Sequence, residues 1–83
     1  MKLSLRYFAS VREAIGTASE TIDTEATTLG ALREQLIDRG GRHAEALSRE
    51  RALRMAIDQV MADETTALRE GAEVAFFPPV TGG

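Results

Sequence analysis

The sequence predicts an α+β domain in which one mixed β-sheet covers one main helix. Three observations carry that expectation. Lys2 to Phe8 alternates, with Leu3, Leu5 and Tyr7 on one face and Lys2, Ser4 and Arg6 on the other, as in a half-buried strand. Leu29, Leu32, Leu36 and Ile37 recur at the spacing of one helix face. Glu73 to Phe77 alternates again and stops at Pro78-Pro79, which remove two backbone donors and fix φ.

In chain order, Lys2 to Phe8 is the first strand. Ser10, followed three residues later by Glu13, reads as a capping box for a short helical turn, with Gly16 as its stop. Thr17 to Asp23, with Thr21 and Ile22, reads as a second strand, antiparallel to the first across a wide connection. Thr27 or Thr28 caps the main helix, which ends at Gly40-Gly41; Gly30 in its first turn costs about 1 kcal/mol against alanine. From Arg42 to Ala62 two signals conflict. Ala, Arg, Glu and Leu favour helix, whereas Leu53, Met55 and Ile57 alternate with Arg54 and Ala56 as a strand does. Asp58-Gln59 supplies a turn, Val60 and Met61 a short extension, Asp63 to Thr66 a polar loop, and Leu68 tucks the connecting segment onto the core.

At 83 residues the chain fits one domain, and about two-thirds of its unfolded surface can be buried, which disfavours a deep catalytic cleft. Hydrophobic residues at 43% and charged residues at 28% match a folded globular domain. A formal charge of -3 gives no basic field for nucleic acid, and no apolar run spans a bilayer or resembles a signal peptide, so a cytoplasmic protein without nucleic-acid or membrane partners is expected. Cysteine is absent, which removes disulfides, thiolate nucleophiles and Cys-based metal sites. The one histidine, His43, lies on an Arg- and Glu-rich stretch and reads as a solvated surface residue; no metal site is expected. The charges at Arg12, Arg49, Glu50, Arg51 and Arg54 read as solvated surface as well.

The chemistry gathers at the C-terminus. Residues 1–79 form the expected folded domain and residues 80–83 a protruding tail, stiffened at its root by Pro78-Pro79 and finished by Gly82-Gly83. Without Cβ atoms, the two glycines pass a narrow channel and take backbone angles closed to other residues. Val80, Thr81, Gly82 and Gly83 together reach about 13 to 14 Å when extended, enough to carry the terminal carboxylate from a docked surface into another protein's pocket. A lone Gly-Gly end is ordinarily only a flexible terminus. Here it closes the run Glu73, Val74, Ala75, Phe76, Phe77, Pro78, Pro79, Val80, Thr81, Gly82, Gly83, which resembles the ending of molybdopterin synthase small subunits. Tyr7, Phe8 and Ala9, followed by Val11, Arg12 and Glu13, are similar to the opening of the same family, and Leu68 to Glu73 to a Leu-x-x-Gly-Asp-Glu stretch in which Ala72 departs from the acidic residue.

That resemblance implies the β-grasp, or ubiquitin-like, fold, and with it a short helix over Arg42 to Leu47 and a strand over Leu53 to Ile57. It also implies a sulfur-carrier cycle. A ubiquitin-activating-like adenylyltransferase uses ATP to adenylate the carboxylate of Gly83, sulfur transfer makes a thiocarboxylate, and the loaded tail enters the large subunit of molybdopterin synthase to build molybdopterin. The chain then needs no cofactor and no catalytic side chain of its own; two copies of each subunit are the implied assembly. Strand parity places Phe8 and Phe77 on the outward face, where Met61 can join them beside Pro78 and Pro79, and these positions resemble the family's partner contacts. Three rival readings remain. They are a carrier for thiamine or cysteine synthesis, a protein modifier joined through Gly83 to target lysines, and an interaction domain with an incidental tail.

Overall fold

Leu3, Leu5 and Tyr7 alternate with exposed Lys2, Ser4 and Arg6, so the first strand, β1 (Lys2–Tyr7), has one face to bury, and three helices bury it. The computed structural model describes residues 1–79; the expectations that fall on Val80, Thr81, Gly82 and Gly83 lie outside the described residues. After β1 come α1 (Ala9–Ile15), β2 (Ser19–Asp23), α2 (Leu29–Asp38), α3 (Gly41–Leu47), β3 (Arg54–Ile57), β4 (Val60–Ala62) and β5 (Glu73–Phe77). The strands form one sheet in the order β2-β1-β5-β3-β4. The first and last strands run parallel at its centre, Leu5 opposite Val74 and Tyr7 opposite Phe76, and the other pairings are antiparallel. A hairpin, a main helix and a last strand inserted beside the first make this a β-grasp α+β fold, as expected. Val74, Phe76, Met55 and Ile57 join the β1 residues against Leu29, Leu32 and Leu36 of α2, Val11 and Ile15 of α1, and Leu47 of α3.

The start of α1 differs from the capping box expected at Ser10 and Glu13. Phe8 is the N-cap, in extended geometry, and no side chain caps the helix. The Phe8 carbonyl accepts the Val11 and Arg12 N–H groups at 3.1 and 3.3 Å. Ala9 takes a left-handed φ of 51°, a conformation that costs a non-glycine residue roughly 1–2 kcal/mol. This sharp entry ends β1 at Tyr7, one residue earlier than the alternation suggests. Gly16 closes α1 as expected, at φ 93° with its N–H on the Arg12 carbonyl at 2.8 Å.

Thr28 caps α2, accepting the Ala31 N–H at 3.2 Å. Two further orphan donors of that helix are met from a distant segment: Leu29 N–H donates to the Thr66 carbonyl and Gly30 N–H to the Glu64 carbonyl. Gly30 is therefore a point of close approach, since a Cβ there would meet Glu64 atoms at 3.0 to 3.1 Å. In the ambiguous stretch the strand prevails. Arg54 to Ile57 pairs with Phe77 to Val74, and the buried side chains of Met55 and Ile57 outweigh local helix propensity. Asp58 and Gln59, at φ 49° and 70°, form the tight turn into β4.

Candidate functional site

The helix-free face of the sheet presents the side chains that the core does not take. Arg6 from β1, Glu73, Ala75 and Phe77 from β5, Ala56 from β3 and Met61 from β4 point that way, because each lies one residue out of phase with a core position. Phe8, at the end of β1, lies 44% exposed and Met61 58% exposed, whereas Phe77, Pro78 and Pro79 are half-buried. Phe8, Met61 and Phe77 line one open concavity of about 320 Å³, floored by Ala56 and Ala75. Small side chains at the floor and large apolar ones at the rim make a surface that another protein's side chain can enter. The concavity runs along β5 from Glu73 to Phe77, and Phe8 and Phe77 stand at the end where β5 runs into Pro78 and Pro79.

Two features of this face are not singled out by the sequence pattern. Arg6 places its guanidinium carbon 5.8 Å from the centre of the Phe8 ring and its Nη1 3.5 Å from Glu73, so one cation touches the aromatic rim and β5 together. Its place on the Phe8 side of β1 was the available signal. Asp58 anchors the start of β5: its carboxylate accepts the Glu73 N–H at 2.9 Å and Arg69 at 2.7 Å, while its own N–H donates to the Glu73 carbonyl. Donation from the Glu73 N–H, followed by the Arg69 contact, holds the Asp58 carboxyl below its usual range.

On the helix side, His43 is not the solvated residue expected. Its side chain is 16% exposed, it meets Tyr7 edge to face at 6.1 Å, and its Nε2 lies 2.7 Å from Glu20. Tyr7 Oη donates to the same carboxylate at 2.8 Å and Arg39 at 2.9 Å. Burial alone raises the Glu20 carboxyl, but the hydrogen bonds from Arg39, His43 and Tyr7 outweigh it and lower the group to about 2. Burial, reinforced by Glu20, pushes the Tyr7 phenol well above its ordinary value. These groups are engaged with one another and serve the fold. Among the described residues no group of three or more His, Asp and Glu side chains converges as a metal site, and no helix is long and apolar enough to cross a membrane.

The fold and this face define a small ubiquitin-like β-grasp domain with an open concavity on the helix-free side of its sheet. Residues 5–83 match the model of the ThiS family, and the chain belongs to that family. It is 40% identical to a molybdopterin synthase sulfur carrier subunit from Haemophilus influenzae, over 98% of this chain and 99% of that protein. Among solved structures, a putative molybdopterin converting factor subunit 1 from Pyrococcus furiosus superposes with a TM-score of 0.78 at 24% identity, covering 96% of this chain and 99% of that one. A complex of subunits 1 and 2 of the molybdopterin-converting factor from Helicobacter pylori matches at 0.69 and 24% identity, with full coverage of both chains. At these identities the two structures support the fold alone.

Proposed function

We propose that this chain is the sulfur carrier of molybdenum cofactor biosynthesis and that the carboxylate of Gly83 is its working group. The observation that carries the reading is the near-complete match, at 40% identity, to a molybdopterin synthase sulfur carrier subunit, in a chain that ends Pro78-Pro79-Val80-Thr81-Gly82-Gly83. A carboxylate oxygen is a poor leaving group, so a ubiquitin-activating-like adenylyltransferase first joins Gly83 to AMP from ATP and releases pyrophosphate. A sulfur nucleophile then displaces AMP to leave a thiocarboxylate. The loaded end donates sulfur to cyclic pyranopterin monophosphate within the large subunit of molybdopterin synthase. ATP and the pterin are bound by those partners, and this chain carries no cofactor and no catalytic side chain.

Its own residues dock and deliver. Phe8, Met61 and Phe77, with the Ala56 and Ala75 floor, form the docking surface in the cytoplasm for the large subunit and the adenylyltransferase in turn. Pro78 and Pro79 fix the direction in which the chain leaves the sheet, which lowers the ordering cost of insertion. Val80, Thr81 and Gly82 are the inserting segment. The 40% identity to a protein named as a subunit of molybdopterin synthase supports the other synthase subunit as partner.

The test is the intact mass of the protein purified from its native cytoplasm. Replacement of one terminal oxygen by sulfur adds about 16 Da, and fragmentation is expected to place it on Gly83. Deleting Gly83, or adding one residue after it, is expected to abolish molybdopterin formation while the circular dichroism spectrum stays unchanged, because residues 1–79 supply the core. Molybdopterin formation at the normal rate by either variant overturns the proposal.

A further inference from the structure

The rows of side chains across the helix-free face show what borders the docking concavity. Phe8 donates its N–H to the Phe76 carbonyl, which sets Phe8 level with Phe77, and Phe77 stands opposite Arg54. The next row on the same face is Arg6, Ala75, Ala56 and Met61. The row after that brings Ser4 beside Glu73. Arg6 thus walls the concavity on the β1 side as Met61 does on the β4 side, with the two alanines between them. Asp58, next to Glu73, is matched by Arg69 at 2.7 Å. The charges left at the border are Arg6, Arg54 and Glu73, a positive excess on a chain whose formal charge is -3.

The Arg6 guanidinium is preset but has bonds to spare. Its carbon lies 5.8 Å from the centre of the Phe8 ring, and its Nη1 lies 3.5 Å from Glu73. That ion pair is long, and its two side chains are 49% and 35% exposed, so in water it adds little to stability. Nε and Nη2 of Arg6 meet no acceptor among the described residues, and neither does any side-chain nitrogen of Arg54. A partner side chain seated over Ala56 and Ala75 takes water away from those Arg6 N–H groups. Donors covered without an acceptor cost binding energy, so a partner that fits the hollow brings an acceptor with it. Guanidinium only donates, and a carboxylate meets its planar fork with two parallel hydrogen bonds. The apolar floor and rim favour a carboxylate carried on a protein surface over a free anion.

We infer that Arg6 is a specificity-determining residue of the docking surface, and that its Nε and Nη2 groups bind an Asp or Glu side chain of the large subunit of molybdopterin synthase. That carboxylate sits next to the apolar side chain that fills the concavity. The inference rests on the proposed docking of the large subunit at this face and adds the chemistry by which that subunit is chosen. Glu73 keeps its hold on Nη1 and the Phe8 ring supports the guanidinium, so the fork loses little freedom on binding. Arg54, opposite Phe77, strengthens the positive field that draws an acidic patch to the same end of the sheet. Selection also works by exclusion. A surface that presents Lys, Arg or apolar groups alone at this point covers Arg6 and leaves it unpaired.

Binding of the full-length chain to the purified large subunit is measured by titration calorimetry at low and at high salt. Arg6→Leu, which keeps an apolar wall, is expected to raise Kd at least about tenfold, and Arg6→Glu about a hundredfold. Both losses are expected to shrink at high salt, with circular dichroism unchanged because Arg6 lies on the exposed face. In the complex of Arg6→Lys, a water-soluble carbodiimide is expected to join position 6 to an Asp or Glu of the large subunit, located by tandem mass spectrometry. Changing that acidic residue to Lys is expected to restore binding of Arg6→Glu. Parental affinity in Arg6→Leu, or a crosslink confined to Glu73, overturns the assignment of Arg6 alone. So does a loss seen only with the adenylyltransferase, or a dimer of the chain by itself that Arg6→Leu dissolves. A parent chain that does not bind the large subunit overturns the proposed docking, and the assignment of Arg6 falls with it.

Discussion

Glu20 shows how much one side chain can organise in a chain of this size. It lies on β2, pointing under the sheet, and gathers Tyr7 from β1, Arg39 from the end of α2 and His43 from α3. A carboxyl held at about 2 against an ordinary 4.5 stabilises the folded state only when ionised. Its contribution is fully present above pH 4.5 and fades as pH falls toward 2. Urea denaturation between about pH 6 and 2 is expected to show stability declining across that window, and Glu20→Gln is expected to flatten the decline. Gly30 argues in the opposite direction from its helix propensity. An alanine in a helix interior ordinarily gains about 1 kcal/mol over glycine, but here its Cβ meets Glu64 at 3.0 to 3.1 Å. Gly30→Ala is therefore expected to lose stability, and a thermal midpoint above that of the parent chain would show that Glu64 yields without cost. Neither residue declares its role in the sequence. The partners of Glu20 stand 13 to 23 residues away, and only the packed chain brings them together.

At the scale of elements, what can be read in advance is what is local. The spacing of Leu29, Leu32 and Leu36 and the cap at Thr28 define α2 by themselves, and Asp58-Gln59 marks the β3–β4 turn. The entry to α1 is not local. Phe8 donates its N–H to the Phe76 carbonyl across the sheet, and that bond holds it outside the helix, so a capping pattern at Ser10 and Glu13 has nothing to cap. The end of α3 is likewise secured from outside, by a buried arginine on α2. Arg33 is 5% exposed and donates to the Leu47 and Ser48 carbonyls at 2.8 and 2.7 Å, to the Arg51 carbonyl at 3.3 Å and to Glu64 at 3.3 Å. Its alkyl stem sits on the core side while its fork takes over carbonyls that the helix leaves unpaired. Arg33→Met keeps the stem and strands those acceptors. A loss of about 3 kcal/mol in denaturant unfolding is expected, and a loss below about 1 kcal/mol would mean that water replaces the guanidinium.

For the whole molecule, the two faces of the sheet divide the work: one is closed by helices, and the other carries Phe8, Met61 and Phe77 around a concavity. The division was legible, since period-two alternation by itself assigns Phe8 and Phe77 to the non-core face. Their joining with Met61 was less so, because it depends on β3 and β4 lying beside β5, a neighbourhood that only sheet order supplies. Phe77→Asp is expected to weaken binding to the large synthase subunit by at least about 2 kcal/mol while the isolated domain stays folded. Titration calorimetry and circular dichroism on the same sample check both halves, and unfolding would show that Phe77 belongs to the core instead.

The placement of β5 between β1 and β3 also bears on how the protein is made. The strand that completes the middle of the sheet is the last of the described elements in chain order, so it leaves the ribosome after all the others. Until Glu73 to Phe77 emerge, Leu3, Leu5 and Tyr7 have no partner along that edge, and the core closes only after every other element has been made. A message or a protease that ends the chain short of Phe77 thus produces an unfolded polypeptide, open to degradation, rather than a compact domain with a missing end. Folding acts as an inspection of β5: molecules that pass it have been built at least through Phe77, the strand that leads into the segment on which the proposed chemistry depends.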